Sequence, residues 1–118
     1  FMIYPEGNFI EASWDTPFFQ IGETKYGRPI LIRGYDRDMS FEDAVKLLMV
    51  SFDSTLKANL SVGLPLDLLV IAKDGFVASH EHRVTAEDAY FDTISSGWGN
   101  ALRSAFHSLP SYRFSDDA

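Results

Sequence analysis

The sequence predicts an α+β fold in which long helices lie on a mainly antiparallel sheet, and three observations carry that expectation. Phe41, Ala44, Val45, Leu48, Phe52 and Leu56 recur at spacings of three and four, which places apolar side chains along one face of a helix. Phe91, Ile94, Trp98, Leu102, Ala105 and Leu109 do the same later in the chain. Between the two runs, Leu66–Lys73 is almost continuously apolar, as a strand covered on both faces would be.

The elements follow in chain order. The first residues form an apolar, strand-like run in which Phe1 precedes Met2, so the chain is expected to begin in mid-fold. Strands are expected over Asn8–Ser13 and Phe18–Ile21. A short helix over Tyr26–Tyr35 carries Pro29 in its first turn, where a missing N–H does no harm. Ser40, with Asp43 three residues on, caps the long helix that runs to Ala58. Lys73-Asp74-Gly75-Phe76 is a tight-turn signal, and a partner strand is expected from Phe76 to Val84. The last helix begins after Thr85, with Asp88 in the complementary capping position, and Pro110 stops it. Gly97 and Gly99 each weaken that helix by about 1 kcal/mol relative to Ala, a cost best tolerated where something packs closely. Residues 1–114 read as a single partial domain and 115–118 as a frayed tail.

Composition narrows the function classes. The chain has 118 residues, 10 Lys+Arg against 17 Asp+Glu, and a formal net charge of -7. That balance argues against nucleic acid or an anionic membrane as partner, because either would repel it. The absence of cysteine excludes disulfides, thiolate catalysis and cysteine metal sites, and it fits a cytoplasmic setting. No apolar run approaches the ~20 residues of a membrane span, and the first residues carry no basic segment of a signal peptide.

Several motifs invite chemistry. Gly22–Gly27 has the spacing of a phosphate loop, but Arg28 and Pro29 stand where that loop needs Lys and a hydroxyl, so a turn leading into a helix is expected there. His80 and His82 share one side of a strand at a spacing that can hold zinc, yet no third ligand lies nearby. His107 suits the negative end of the last helix. Asp53 and Asp67 could form a carboxylate pair, although nothing in the sequence brings them together. No Gly-x-Ser-x-Gly elbow occurs. Asn59-Leu60-Ser61-Val62-Gly63-Leu64-Pro65 lies between a long helix and a buried strand, where site residues often sit. The same segment also suits plain capping, with Asn59 ending the helix and Gly63 supplying a positive φ. No cofactor and no metal are expected.

Tyr4–Ala12, Phe19–Gly27, Asp53-Ser54-Thr55, Asn59–Val70 and Trp98-Gly99 with Ala101-Leu102-Arg103 together resemble the C-terminal half of bacterial proteasome-type peptidases, most closely the ancestral beta subunits (Anbu). The resemblance implies half of the αββα sandwich of N-terminal-nucleophile hydrolases. Such proteins act through a threonine at the mature N-terminus, whose hydroxyl attacks while its own α-amino group serves as base. A lysine and an aspartate from the first half of the fold support it. Thr16, Thr24, Thr55, Thr85 and Thr93 are all internal, so the isolated chain is expected to be inactive.

Carry-over is therefore limited to supporting positions. Ile21-Gly22-Glu23-Thr24 matches the loop that places a small polar residue near the nucleophile; Glu23 stands where a serine is usual, and Thr24 supplies a hydroxyl. Asn59, Ser61 and Gly63 match a second loop that carries an acid and a serine before a glycine. Asn59 lacks the acid's charge, so Ser61 is the expected orienting partner. The resemblance further implies a homo-oligomer completed by the missing N-terminal half, acting on peptides or unfolded protein. The competing expectation is a small non-catalytic interaction domain that homodimerises. The sheet discriminates: a complete module should close over Leu66–Ile71, and a half-sandwich should leave one face of that strand open.

Overall fold

The computed structural model describes residues 1–22 and 24–115. A two-residue strand, β1 (Met2–Ile3), pairs antiparallel with β2 (Phe9–Ile10). Three helices follow the pattern of the sequence: α1 (Arg28–Gly34), α2 (Phe41–Ala58) and, after a second hairpin, α3 (Ala89–Ser108). That hairpin pairs β3 (Leu66–Val70) antiparallel with β4 (His80–Val84), Leu66 opposite Val84 and Val70 opposite His80.

Local chemistry sets the ends of these elements. Ser40 Oγ accepts from the Asp43 amide at 3.1 Å and starts α2 as the capping pattern requires. For α3 the cap is Asp88, not Thr85: the Asp88 carboxylate accepts from the Phe91 amide at 2.9 Å, and a carboxylate satisfies an orphan N–H better than a hydroxyl set one turn too early. The turn after β3 forms with Asp74 at a φ of 61° and the Gly75 amide donating to Ala72 O.

The strands are shorter than the sequence suggests. Of Asn8–Ser13 only Phe9–Ile10 pairs, Phe18–Ile21 is not a strand, and β4 begins at His80 rather than Phe76. A strand needs a neighbouring strand for its N–H and C=O groups, and among the described residues these stretches have no such ladder, although the Ser79 amide still donates to Val70 O.

The core lies between α2, α3 and one face of the β3–β4 hairpin. Met49, Val84 and Phe91 are buried, with Val45, Leu56, Leu66, Leu68 and Ile94 packed around them. The other face of the hairpin is open. Asp67 and Arg83 form an exposed ion pair there, Leu69 is 55 % exposed, and Ile71 just beyond β3 is 52 % exposed. The radius of gyration is 17.9 Å, against about 13 Å for a compact chain of this size. These residues therefore do not close over their own sheet, as the half-sandwich expectation requires.

Helix α1 lies against α2 through two glycines. A Cβ on Gly34 would stand 2.6 Å from Leu47 Cδ1, and one on Gly27 would stand 2.5 Å from Ser51 Oγ. Leu47, Ser51 and Thr55 recur every four residues, so the contact follows one stripe of α2. In contrast, nothing lies within 4 Å of a Cβ built on Gly97, and only the Arg103 guanidinium comes near one on Gly99. The close packing expected at these two glycines is absent among the described residues.

Phe91 joins α3 to the hairpin and to α2, so Phe91→Ala should lower the stability of the fold by about 3 kcal/mol. Urea unfolding of the native protein and the variant measures this directly.

Candidate functional site

Helix α2 ends in the segment that the sequence singles out. Its cap is Asn59, whose amide donates to Thr55 O at 2.8 Å. The Asn59 side-chain oxygen then accepts two hydrogen bonds from Ser61, from its amide at 3.0 Å and from its hydroxyl at 2.7 Å. The Val62 amide adds a third tie, to Asn59 O at 3.2 Å. Asn59 and Ser61 are thus brought together in a side-chain-closed turn, with Ser61 exposed to solvent; the side-chain bonds close it without the positive φ expected at Gly63, which the described glycines show only at Gly7 and Gly22. The Ser61 hydroxyl proton is committed to Asn59, which leaves the Oγ lone pairs to accept.

Thr24 belongs to a different turn. Its carbonyl accepts from the Arg28 amide at 3.2 Å as the chain enters α1. Glu23 lies outside the described residues. The two candidate loops nonetheless share a support. Ser51 Oγ donates to Gly27 O at 3.1 Å and Thr55 Oγ1 to Ser51 O at 3.0 Å. Gly27 therefore rests on the stripe of α2 that ends, one turn later, at Asn59.

The sequence offered Asp53 as a possible partner of Asp67 and left its actual partners, Ser95 and Lys57, unrecognised. The Asp53 carboxylate, on the side of α2 that faces α3, is buried. It accepts from Ser95 Oγ at 2.5 Å, and Lys57 Nζ stands 3.4 Å from its other oxygen and 3.1 Å from Ser95 Oγ. The available signals were an Asp and a Lys four residues apart on one helix and a serine set beside the apolar stripe of the other. Asp53 does not pair with Asp67, which lies on the open face of the hairpin bonded to Arg83 at 2.8 Å. Ser95 is not an activated nucleophile here. Lys57 donates to it instead of accepting its proton, and a carboxylate is too weak a base for a serine hydroxyl at neutral pH.

His80 and His82 share the side of β4 expected for them, with ring centroids 6.4 Å apart. His82 is engaged elsewhere: its Nε2 lies 2.7 Å from Asp88 Oδ2. No cluster of three metal-binding side chains occurs among the described residues. The His82 hydrogen bond, followed by the Phe91 amide, holds the Asp88 carboxyl below the usual carboxylate range. Among the described residues no helix is long and apolar enough to cross a membrane.

Comparison with known proteins gives one kind of match. No family model matches the chain, and no curated protein matches it. Solved structures do. An Anbu (Gly-1) mutant from Hyphomicrobium sp. strain MC1 is 54 % identical, with a TM-score of 0.89 over 95 % of this chain and 48 % of its own. Anbu, the ancestral beta subunit, from Yersinia bercovieri is 48 % identical, with a TM-score of 0.86 over 96 % of this chain and 48 % of its own. The helical assembly of the Anbu complex from Pseudomonas aeruginosa contributes a chain 49 % identical, with a TM-score of 0.83 over 94 % of this chain and 46 % of its own. The chain spans about half the length of the solved structures it matches.

Because its folded-state pKa is lowered, Asp88 contributes stability that is present above the unfolded carboxylate pKa, about 3.9, and lost as pH falls through the folded value. Urea midpoints measured from pH 6 to pH 3 should fall more steeply for the native protein than for Asp88→Asn. The Asn variant keeps a cap but has no carboxylate to protonate.

Proposed function

The chain belongs to the Anbu family of proteasome-like subunits, and from that premise we propose that it forms the C-terminal half of a peptidase subunit active in its complete assembly. The observation that carries this reading is the match of 54 % identity over nearly the whole chain to about half of an Anbu structure. The open hairpin face supports it too: Leu69 and Ile71 need a cover that a self-contained interaction module would already provide.

In this reading the nucleophile is an N-terminal threonine supplied outside these residues. Its α-amino group takes the hydroxyl proton while the hydroxyl oxygen adds to the peptide carbonyl. The 59–63 turn contributes orientation. Asn59 holds the Ser61 proton, so Ser61 Oγ offers an acceptor to an amine N–H and fixes the base against the hydroxyl it must deprotonate. Asn59 stands where the family carries an acid, and here it does by hydrogen bonding to Ser61 what needs no charge. Thr24 and Glu23 are proposed as lesser contributors from the loop before α1. Further copies of the subunit cover the remaining apolar surface, peptides or unfolded protein are the substrates, and the assembly works in the bacterial cytoplasm. The Pseudomonas aeruginosa relative forms a helical assembly, which supports self-association.

The test is peptide hydrolysis by the full-length subunit. Ser61→Ala should lower kcat about tenfold, the effect of one hydrogen bond to a charged or charging group, and leave KM nearly unchanged. An unaltered kcat would remove Ser61 from the reaction. The 118-residue chain by itself should turn over no peptide, and sustained turnover by the purified chain would overturn the whole reading.

A further inference from the structure

Among the described residues Asp53 is the one buried charged side chain, and burying a carboxylate costs free energy unless donors meet its oxygens. An apolar side chain would fill the space between α2 and α3 without that cost. It would not set an angle, because apolar packing has no preferred direction, whereas hydrogen bonds do. Here the directional contacts are the Ser95 hydroxyl at 2.5 Å and the Lys57 ammonium at 3.4 Å. Ser95 belongs to α3, 42 residues further along the chain, so the contact ties one helix to another.

We infer that Asp53 and Ser95, with Lys57 as a minor member, are positioning residues that fix the rotation of the last two turns of α2 and so the direction in which Ser61 is presented. At 3.6 residues per turn, Asp53 lies on nearly the opposite side of the helix from Ser51. Ser51 is bonded to Gly27 O, and a Cβ on Gly27 would already collide with it. The helix is therefore gripped on two sides, by the α1 loop through Ser51 and by α3 through Asp53. Rotation in either direction breaks one grip. The next residues are Thr55, whose carbonyl holds the Asn59 amide, and Asn59, whose side chain holds Ser61. A change of angle at Asp53 is thus passed, bond by bond, to the Ser61 hydroxyl. Lys57 contributes less because its side chain is 63 % exposed, and ion pairs open to water are weak.

The inference rests on the proposed role of the 59–63 turn only for its relevance to catalysis, and the test separates the two. Hydrogen–deuterium exchange on the full-length assembled subunit reads the Ser61 and Val62 amides, both bonded to Asn59. Ser95→Ala and Asp53→Asn should each speed exchange there about tenfold, as for one lost hydrogen bond. The amides of β3 should keep their rates, Ser95→Thr should restore protection, and Lys57→Ala should change exchange less than about threefold. If Asp53→Asn does not assemble, Ser95→Ala decides. Unchanged exchange at Ser61, or an increase spread evenly over α2 and the hairpin, would overturn the inference. Faster exchange in Ser95→Ala together with full kcat in Ser61→Ala would keep the mechanical coupling and reject the catalytic role of the turn. Slow exchange with a low Ser61→Ala kcat would do the reverse.

Discussion

Helix α2 is buried along two sides at once. On one side the stripe Leu47, Ser51 and Thr55 meets α1 so closely that the contacting positions, Gly27 and Gly34, have no room for a Cβ. On the other, Val45, Met49 and Leu56 join the core under the hairpin, and Asp53 reaches Ser95 of α3. Both candidate loops depend on this arrangement. The turn before α1 rests on Ser51, and the 59–63 turn is the direct continuation of the helix. A helix held by packing alone can shift by a fraction of an ångström; one held by directional bonds on both sides has a defined angle.

The two-stranded hairpin shows what that rigid helical layer is built to support. One face packs on the helices, while the other presents Leu69 beside the Asp67–Arg83 pair. A two-stranded sheet with one bare face has little stability of its own, and its exposed apolar side chains require a cover. An extended overall shape and a match to half the length of solved Anbu chains describe the same condition from two directions. The division of labour in the proposed enzyme follows. In that proposal these residues are assigned orientation and assembly surface, and the group that starts the reaction is assigned to residues outside them.

The Asn59–Ser61 turn also illustrates why a capping reading and a functional reading of one motif need not compete. Asn59 does cap α2, as local geometry asks. Its carboxamide oxygen also accepts a hydrogen bond from the Ser61 hydroxyl, which leaves the Ser61 Oγ lone pairs as acceptors at the surface. The cap is the Asn59 amide bonded to Thr55 O, and the role proposed for Ser61 rests on the separate bonds that its amide and hydroxyl donate to the Asn59 side chain.

Much of this was legible in the sequence. The apolar periodicity of α2 and α3, the Ser40 cap, Pro29 at the start of α1 and the turn at Asp74-Gly75 are local properties, set by residues within one or two turns of each other. The segments that resemble the ancestral beta subunits likewise marked the family. Strand lengths were not legible, because Phe18–Ile21 and Phe76–Ser79 have apolar or β-prone composition, but pairing depends on a neighbour that no local pattern specifies. Nor was the partner of Asp53: 42 residues separate it from Ser95, and only the crossing of α2 and α3 makes them adjacent. What the chain determined by itself was which segments would be helical and where they would stop, since those interactions close within a few residues. What the tertiary structure decided was which polar side chains meet across the helices, since that depends on distance in space and not along the chain.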